Sequence, residues 1–224
     1  MSRGGRPFAD RRDAGRALGV ELSGRLAGGV DVVVLGLPRG GAVVAAGVAA
    51  ALEAPVDVLL VRKLALPGQP ELAMGAIAAA GDAVETVRNE AVLARGRVDE
   101  QTFEAVRVRE LTELRRREVA YRGARPAVRL AGRTVVLVDD GLATGSTMRA
   151  AVAAAGRQAP VRVVVAVPVG SGRMCADLRA TVEEVVCLWG PPGFSAVGQG
   201  YADFAPTSDD EVRAALGVGA PPAG

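Results

Sequence analysis

The stretch VVLVDDGLATGST, residues 135–147, decides how this chain is read. Its apolar opening forms a buried strand, and the strand delivers two adjacent carboxylates, Asp139 and Asp140, at its C-terminal end. The loop GLATGST then opens a helix at about Met148. In an open α/β sheet, ligands collect outside the carboxyl ends of the strands. Ala143, Gly145 and Ser146 are small enough to bring backbone N–H groups close to an anion, and Thr144, Ser146 and Thr147 add hydroxyl donors. The helix N-terminus contributes about half a positive charge. This combination suits a sugar phosphate, with N–H groups for the phosphate and carboxylates for vicinal hydroxyls. It is not a nucleotide P-loop, because G-x-x-x-x-G-K-[ST] occurs nowhere.

Working outward, short apolar runs of the same kind recur at residues 32–37 (VVVLGL), 56–61 (VDVLLV), 161–167 (VRVVVAV) and 182–188 (VEEVVCL). Helical patterns separate them, including Ala14, Leu18, Leu22 and Leu26 at a four-residue spacing, an Ala/Val-rich run over 42–52, and a charged run over 98–122. Residues 74–79 and 83–87 flank Gly81-Asp82 and read as a hairpin. Strands apolar throughout and alternating with helices predict an α/β fold with a five-stranded parallel sheet covered on both faces. A single domain is expected, its core at about 30–189, with a hood from about 1–28 and 190–217 and a disordered tail over 218–224.

Composition excludes whole classes of chemistry. The 224 residues are 50% hydrophobic, carry a net charge of +2 and contain no histidine. That removes Ser-His-Asp and Cys-His nucleophiles, H-E-x-x-H zinc sites and any imidazole base. Near-neutral charge gives no global attraction to nucleic acid or an anionic membrane, and neither is expected as a partner. The charged run over 98–122 holds six arginines against six acids and reads as a self-compensated, solvated face. Two cysteines, Cys175 and Cys187, are too few for a disulfide scaffold and lack C-x-x-C spacing. The polar, basic N-terminus has no apolar signal region, and the longest apolar stretch falls short of the ~20 residues needed to span a bilayer. A cytoplasmic protein is expected.

Three further clusters carry chemistry. Arg39, Gly40 and Gly41 follow the first core strand, where glycines expose backbone N–H groups and the guanidinium offers a bidentate phosphate donor. Arg62 and Lys63 end the second strand ahead of the Pro/Gly-rich stretch 64–71, and Lys63 is the single lysine among 27 basic residues. A compact ammonium meets a moving anion differently from a rigid guanidinium. Four of the seven aromatics (Trp189, Phe194, Tyr201 and Phe204) fall within 189–204 and suit stacking on a base.

VVLVDDGLATGST resembles the phosphoribosyl-diphosphate (PRPP) signature of the type I phosphoribosyltransferases: an apolar strand, two acids, then x-x-x-T-G-x-T. The resemblance spans roughly residues 32–204 and looks closest to small bacterial members without a settled acceptor, which carry PRGG, an R-K-L loop and VDDG-x-ATG-x-T in this order. It implies PRPP as substrate, with Asp139 and Asp140 holding the ribose hydroxyls. Gly141, Ala143, Thr144, Gly145, Ser146 and Thr147 would wrap the 5′-phosphate, and Arg39, Gly40 and Gly41 the diphosphate. It implies a mobile catalytic loop opened by Arg62 and Lys63, with Glu71 as a proton acceptor by its location in that loop. Similarity to the hypoxanthine-type members points to Phe194, with Trp189 nearby, for base stacking, and to Asp203, with Asp139 and Asp140, for Mg²⁺. The implied reaction transfers the phosphoribosyl group to a nitrogenous acceptor, such as a nucleobase, and releases diphosphate from ribose C1; a homodimer is expected. Ala143 stands where hypoxanthine-type members carry an acid, so the base stays open. The alternatives are a non-catalytic PRPP- or nucleotide-binding regulator, or a PRPP-dependent enzyme with a non-base acceptor.

Overall fold

The computed structural model describes residues 7–26, 31–80 and 83–218. Helix α1 (Arg11–Arg25) starts where the Asp10 carboxylate accepts from the Asp13 N–H at 2.8 Å, and its leucine stripe is buried. Strand β1 (Val32–Gly36) is buried throughout and leads into α2 (Gly40–Leu52). Then follow β2 (Val56–Val58), β3 (Leu60–Leu66), β4 (Gln69–Ala80) and β5 (Ala83–Arg88). Helices α3 (Glu90–Gly96) and α4 (Glu100–Arg122) precede β6 (Thr134–Val138) and α5 (Ser146–Gly156). Strand β7 (Arg162–Val169), α6 (Gly172–Leu178), β8 (Glu184–Trp189) and α7 (Asp209–Ala215) complete the order.

Five strands form one parallel sheet, ordered β2-β1-β6-β7-β8, as the apolar runs predict. One face packs α1 and α2 through Leu18, Leu22, Val44 and Val48; the other packs α5 and α6 through Met148, Ala151, Ala154 and Cys175. Crossovers of this kind bring the C-terminal ends of β1 and β6 side by side, and the candidate site is built there.

Two expectations are corrected. Residues 56–61 are not one strand: the run breaks at Leu59, whose N–H donates to Gly36 O at 3.0 Å. Strand β2 stays in the parallel sheet, while β3 leaves it for a second, antiparallel sheet ordered β3-β4-β5. An unbroken apolar run carries no sign of a change of partner. The stretch 64–71 is likewise not an open loop. Leu66 pairs with Gln69 around a Pro67-Gly68 turn, with Gly68 at φ 76°, so the segment is a hairpin with bulges next to Ala65. The β4–β5 pair confirms the strands of the predicted hairpin, and its turn at 81–82 lies outside the described residues, as does 219–224 of the tail.

Helix α4 compensates its own charges, as in Arg116–Glu113 and Arg117–Glu113, both at 2.8 Å. It also spends charge on tertiary structure. Arg122 Nε meets Asp57 Oδ1 at 2.9 Å in the interior, and Val128 N donates to Asp57 Oδ2 at 3.0 Å. This buried, fully hydrogen-bonded pair pins the end of α4 to β2, and losing one partner would strand a buried charge.

Candidate active site

Asp139 and Asp140 follow the last residue of β6, and both are half-buried. Asp139 Oδ1 accepts from the Asp140 N–H at 2.9 Å. Crowding by protein atoms, then the neighbouring Asp140 charge, pushes the Asp139 carboxyl well above its ordinary range. Burial also pushes Asp140 up, against the pull of Arg11, whose Nε donates to Asp140 Oδ2 at 2.8 Å.

The PRGG turn packs directly onto this pair. A Cβ on Gly40 would overlap Asp140 Oδ2, and one on Gly41 would stand 2.9 Å from Asp139 Oδ1. Glycine is required at both positions by close approach, so the two candidate phosphate elements form one constellation. The Pro38–Arg39 peptide is cis, and the half-exposed Arg39 reaches Asp209 at the start of α7, 3.9 Å away.

Beyond the acids, the loop turns into α5 at Gly145, which has φ 71° and accepts the Arg149 N–H at 2.9 Å. The N–H groups of Ala143, Thr144 and Gly145 donate to no other described residue. Thr144 and Ser146 are exposed, their hydroxyls 3.4 Å apart; Ala143 and Thr147 are half-buried. Unpaired N–H groups beside a helix N-terminus make an anion site.

Arg62 and Lys63 are adjacent on β3, so their side chains leave opposite faces. Arg62 points to α4, where its Nη2 meets Glu110 Oε2 at 2.5 Å. Lys63 is exposed on the other face, the one against which α5 packs. A narrow cleft of about 30 Å³ between Pro38, Val61, Arg62 and Thr147 links the start of β3 to both candidate phosphate elements.

A family model described as the phosphoribosyl transferase domain matches residues 12–189, which includes the PRGG turn, the acid pair and the loop into α5. The chain belongs to that family. A Mycobacterium tuberculosis H37Rv protein named "Putative phosphoribosyl transferase Rv0571c" is 49% identical over 211 residues, which is 93% of this chain and 46% of that protein. The CDC 1551 counterpart, MT0597, matches to the same extent. The chain therefore spans about half the length of these curated relatives. The crystal structure of TT1426 from Thermus thermophilus superposes with a TM-score of 0.80 at 45% identity, covering 93% of this chain and 97% of that one.

Against this phosphoribosyltransferase framework, the late aromatic cluster divides. Trp189 and Phe194 are half-buried and pack against Phe8, Val169 and Tyr201, so they anchor residues 189–201 to the segment that leads into α1. Tyr201 is fully buried and its hydroxyl donates to the Asp140 carbonyl at 2.5 Å. Phe204 stacks on Tyr201 with centroids 5.0 Å apart, and the Arg11 guanidinium lies 4.0 Å above the Phe204 ring. Asp203 does not join Asp139 and Asp140 as a ligand set. Its Oδ1 accepts from the Ala205 N–H, and it lines a cleft of about 200 Å³ with Asp10, Arg12 and Glu211. No three acids or thiols gather to hold a metal among the described residues. The Glu71 side chain lies outside the described residues. No helix among the described residues is long and apolar enough to cross a membrane.

Arg11 and Tyr201 are the site residues that the motifs miss. Each meets Asp140 from a distant part of the chain, and no local spacing announces either contact.

Proposed function

We propose that the chain is a PRPP-dependent phosphoribosyltransferase that passes the phosphoribosyl group to a nitrogenous acceptor, such as a nucleobase, and releases diphosphate. One observation carries the reading: Gly40 and Gly41 at the end of β1 lie against Asp140 and Asp139 at the end of β6, beside a loop of unpaired N–H groups. A molecule with a diphosphate, two hydroxyls and a phosphate spaced along a ribose matches that order of groups.

Asp139 and Asp140 accept hydrogen bonds from the ribose hydroxyls and fix the sugar. The N–H groups of Ala143, Thr144 and Gly145 hold the 5′-phosphate, aided by the hydroxyls of Thr144, Ser146 and Thr147. As the bond at ribose C1 breaks, the ring gains positive charge and the diphosphate negative charge. Arg39 and Lys63, with the N–H groups of Gly40 and Gly41, balance the latter. The donor set fits Mg²⁺, which is commonly held by one or two carboxylates together with substrate phosphates, and Asp139 and Asp140 would be those carboxylates. When bound, the ion neutralises diphosphate charge. The β3–β4 hairpin lowers over the site and excludes water, with Glu71 taking the acceptor's proton. Phe194 and Trp189 support the acceptor through the packing of residues 189–204.

Calorimetry with PRPP and Mg²⁺ tests the site. Binding is expected, with collapse in Asp139→Asn/Asp140→Asn; unchanged affinity in that variant refutes the assignment. Diphosphate release across a panel of bases and amines identifies the acceptor, and PRPP binding with silence throughout the panel favours the regulator.

A further inference from the structure

Cys175 on α6 and Cys187 on β8 are the chain's only cysteines, and both turn to the sheet face covered by α5 and α6. The Cys187 thiol donates to Trp189 O at 3.5 Å. A Cβ on Gly170 would stand 3.2 Å from each sulfur and 3.2 Å from Leu142 Cβ. Cys175 is buried, but β8 is the edge strand of the sheet. Cys187 is half-buried there and lines an open surface groove with Arg179 and Glu183. A small oxidant therefore reaches the pair from the sheet edge.

We propose that Cys175 and Cys187 are a reversible redox pair, which a peroxide closes into an intramolecular disulfide directly behind the phosphate-binding loop. The neighbouring Cys187 thiol, with help from the Arg179 charge, lowers the Cys175 thiol to about 7, while the Cys175 sulfur beside it and burial push Cys187 up. One sulfur of the pair is thus a thiolate near neutral pH. It attacks a peroxide oxygen, the O–O bond breaks, and hydroxide leaves to collect the proton already lost. The second thiol attacks the resulting sulfenic sulfur and expels water. Two thiols lose two electrons, and hydrogen peroxide becomes two waters.

The pair sits where the loop is anchored. Leu142 N donates to Val169 O at 2.9 Å, Ser171 N donates to Leu142 O at 2.8 Å, and Gly170 N donates to Trp189 O at 3.0 Å. Both sulfurs and Leu142 border the same point beside Gly170, so drawing the sulfurs together repacks the contacts that anchor the loop. The disulfide stands on these contacts alone; its effect on PRPP rests on the function proposed above.

Hydrogen peroxide added to the reduced full chain should remove both titratable thiols, lower the intact mass by two hydrogens, and yield a cross-linked Cys175–Cys187 peptide after trypsin. Dithiothreitol should reverse all three. Gain of oxygen without cross-linking, or a disulfide between two chains, overturns the pair. Cys187→Ser, a change at the half-buried edge, should leave Cys175 taking up oxygen only. The oxidised chain should bind PRPP at least about fivefold more weakly, with Cys187→Ser insensitive to peroxide in this respect. Equal affinity in a chain shown to carry the disulfide overturns the coupling. Failure of PRPP to bind either form counts against the proposed function and leaves the thiol result standing.

Discussion

Arg11 and Asp140 are 129 positions apart in the chain and form an ion pair at 2.8 Å, with the guanidinium also donating to Ala205 O and covering the Phe204 ring. The first turn of α1 thereby ties residues 204–205 to an acid of the candidate ribose site. Arg11 holds Asp140 against the upward push of burial, so Arg11→Ala should raise the Asp140 pKa. PRPP binding that needs the carboxylate should then fail at a higher pH on acidification. Calorimetric Kd values between pH 5 and 8 measure this, and an unmoved acid limb separates Arg11 from Asp140. Stability should fall by about 1–3 kcal/mol in urea, the usual cost of leaving a buried polar group unpaired.

Gly40→Ala probes the same contact from the other side. The added methyl would overlap Asp140 Oδ2 and stand 2.6 Å from Arg11 Nε, so the Arg11–Asp140 ion pair must move to admit it. Overpacking of this kind costs about 1–3 kcal/mol. PRPP affinity should drop with stability. Gly24→Ala is the control, since nothing lies within 4 Å of its added Cβ on α1. It should stabilise the helix by about 0.5–1 kcal/mol and leave PRPP binding alone.

The legible and illegible parts of this site differ in sequence distance. Strand, acids and anion loop are contiguous in residues 135–147, so local rules for strands, small residues and helix N-termini suffice to assemble them. The parallel sheet is legible for a related reason, because strands buried on both faces are apolar throughout. Tyr201 and Arg11 reach Asp140 only through the fold, and isolated polar contacts have no periodicity. The aromatics near the C-terminus mislead in part, since clustering in sequence describes both a stacking platform and an anchor; Tyr201 is an anchor. The β3–β4 hairpin is hidden because Pro67 and Gly68 mark a tight turn and a long loop equally.

Asp139 makes stability and function pull in opposite directions. Its carboxyl is raised on folding, so the folded chain holds that proton more tightly than the unfolded chain, whose value is about 3.9. The resulting stabilisation is complete at low pH and disappears as pH rises through the folded value. Asp139→Asn keeps an oxygen for the Asp140 N–H and removes the ionisation. Its urea midpoint should therefore exceed that of the unmodified chain at pH 8 and approach it as pH falls toward 4. PRPP affinity should meanwhile drop about tenfold or more, the scale of a lost hydrogen bond to a charged group. A variant no more stable at pH 8 would mean that Asp139 is not held against its ionisation.

Lys63 and Arg62 are neighbours with separable roles, and the pleat of β3 makes the separation testable. Arg62 is bound to Glu110, so Arg62→Met should cost about 1–3 kcal/mol of stability by stranding that half-buried carboxylate. Lys63 is exposed on the opposite face, and Lys63→Met should leave the urea midpoint unchanged. Its effect belongs to turnover, which should fall about 10²-fold if the ammonium meets charge that grows only as diphosphate departs. Lys63→Arg keeps the charge but not the compact, flexible head, so turnover should fall more than PRPP affinity. Steady-state kinetics beside calorimetric Kd values separate the two quantities. Full turnover in Lys63→Met would remove the only lysine from the reaction and leave Arg39 and the glycine N–H groups to hold the diphosphate.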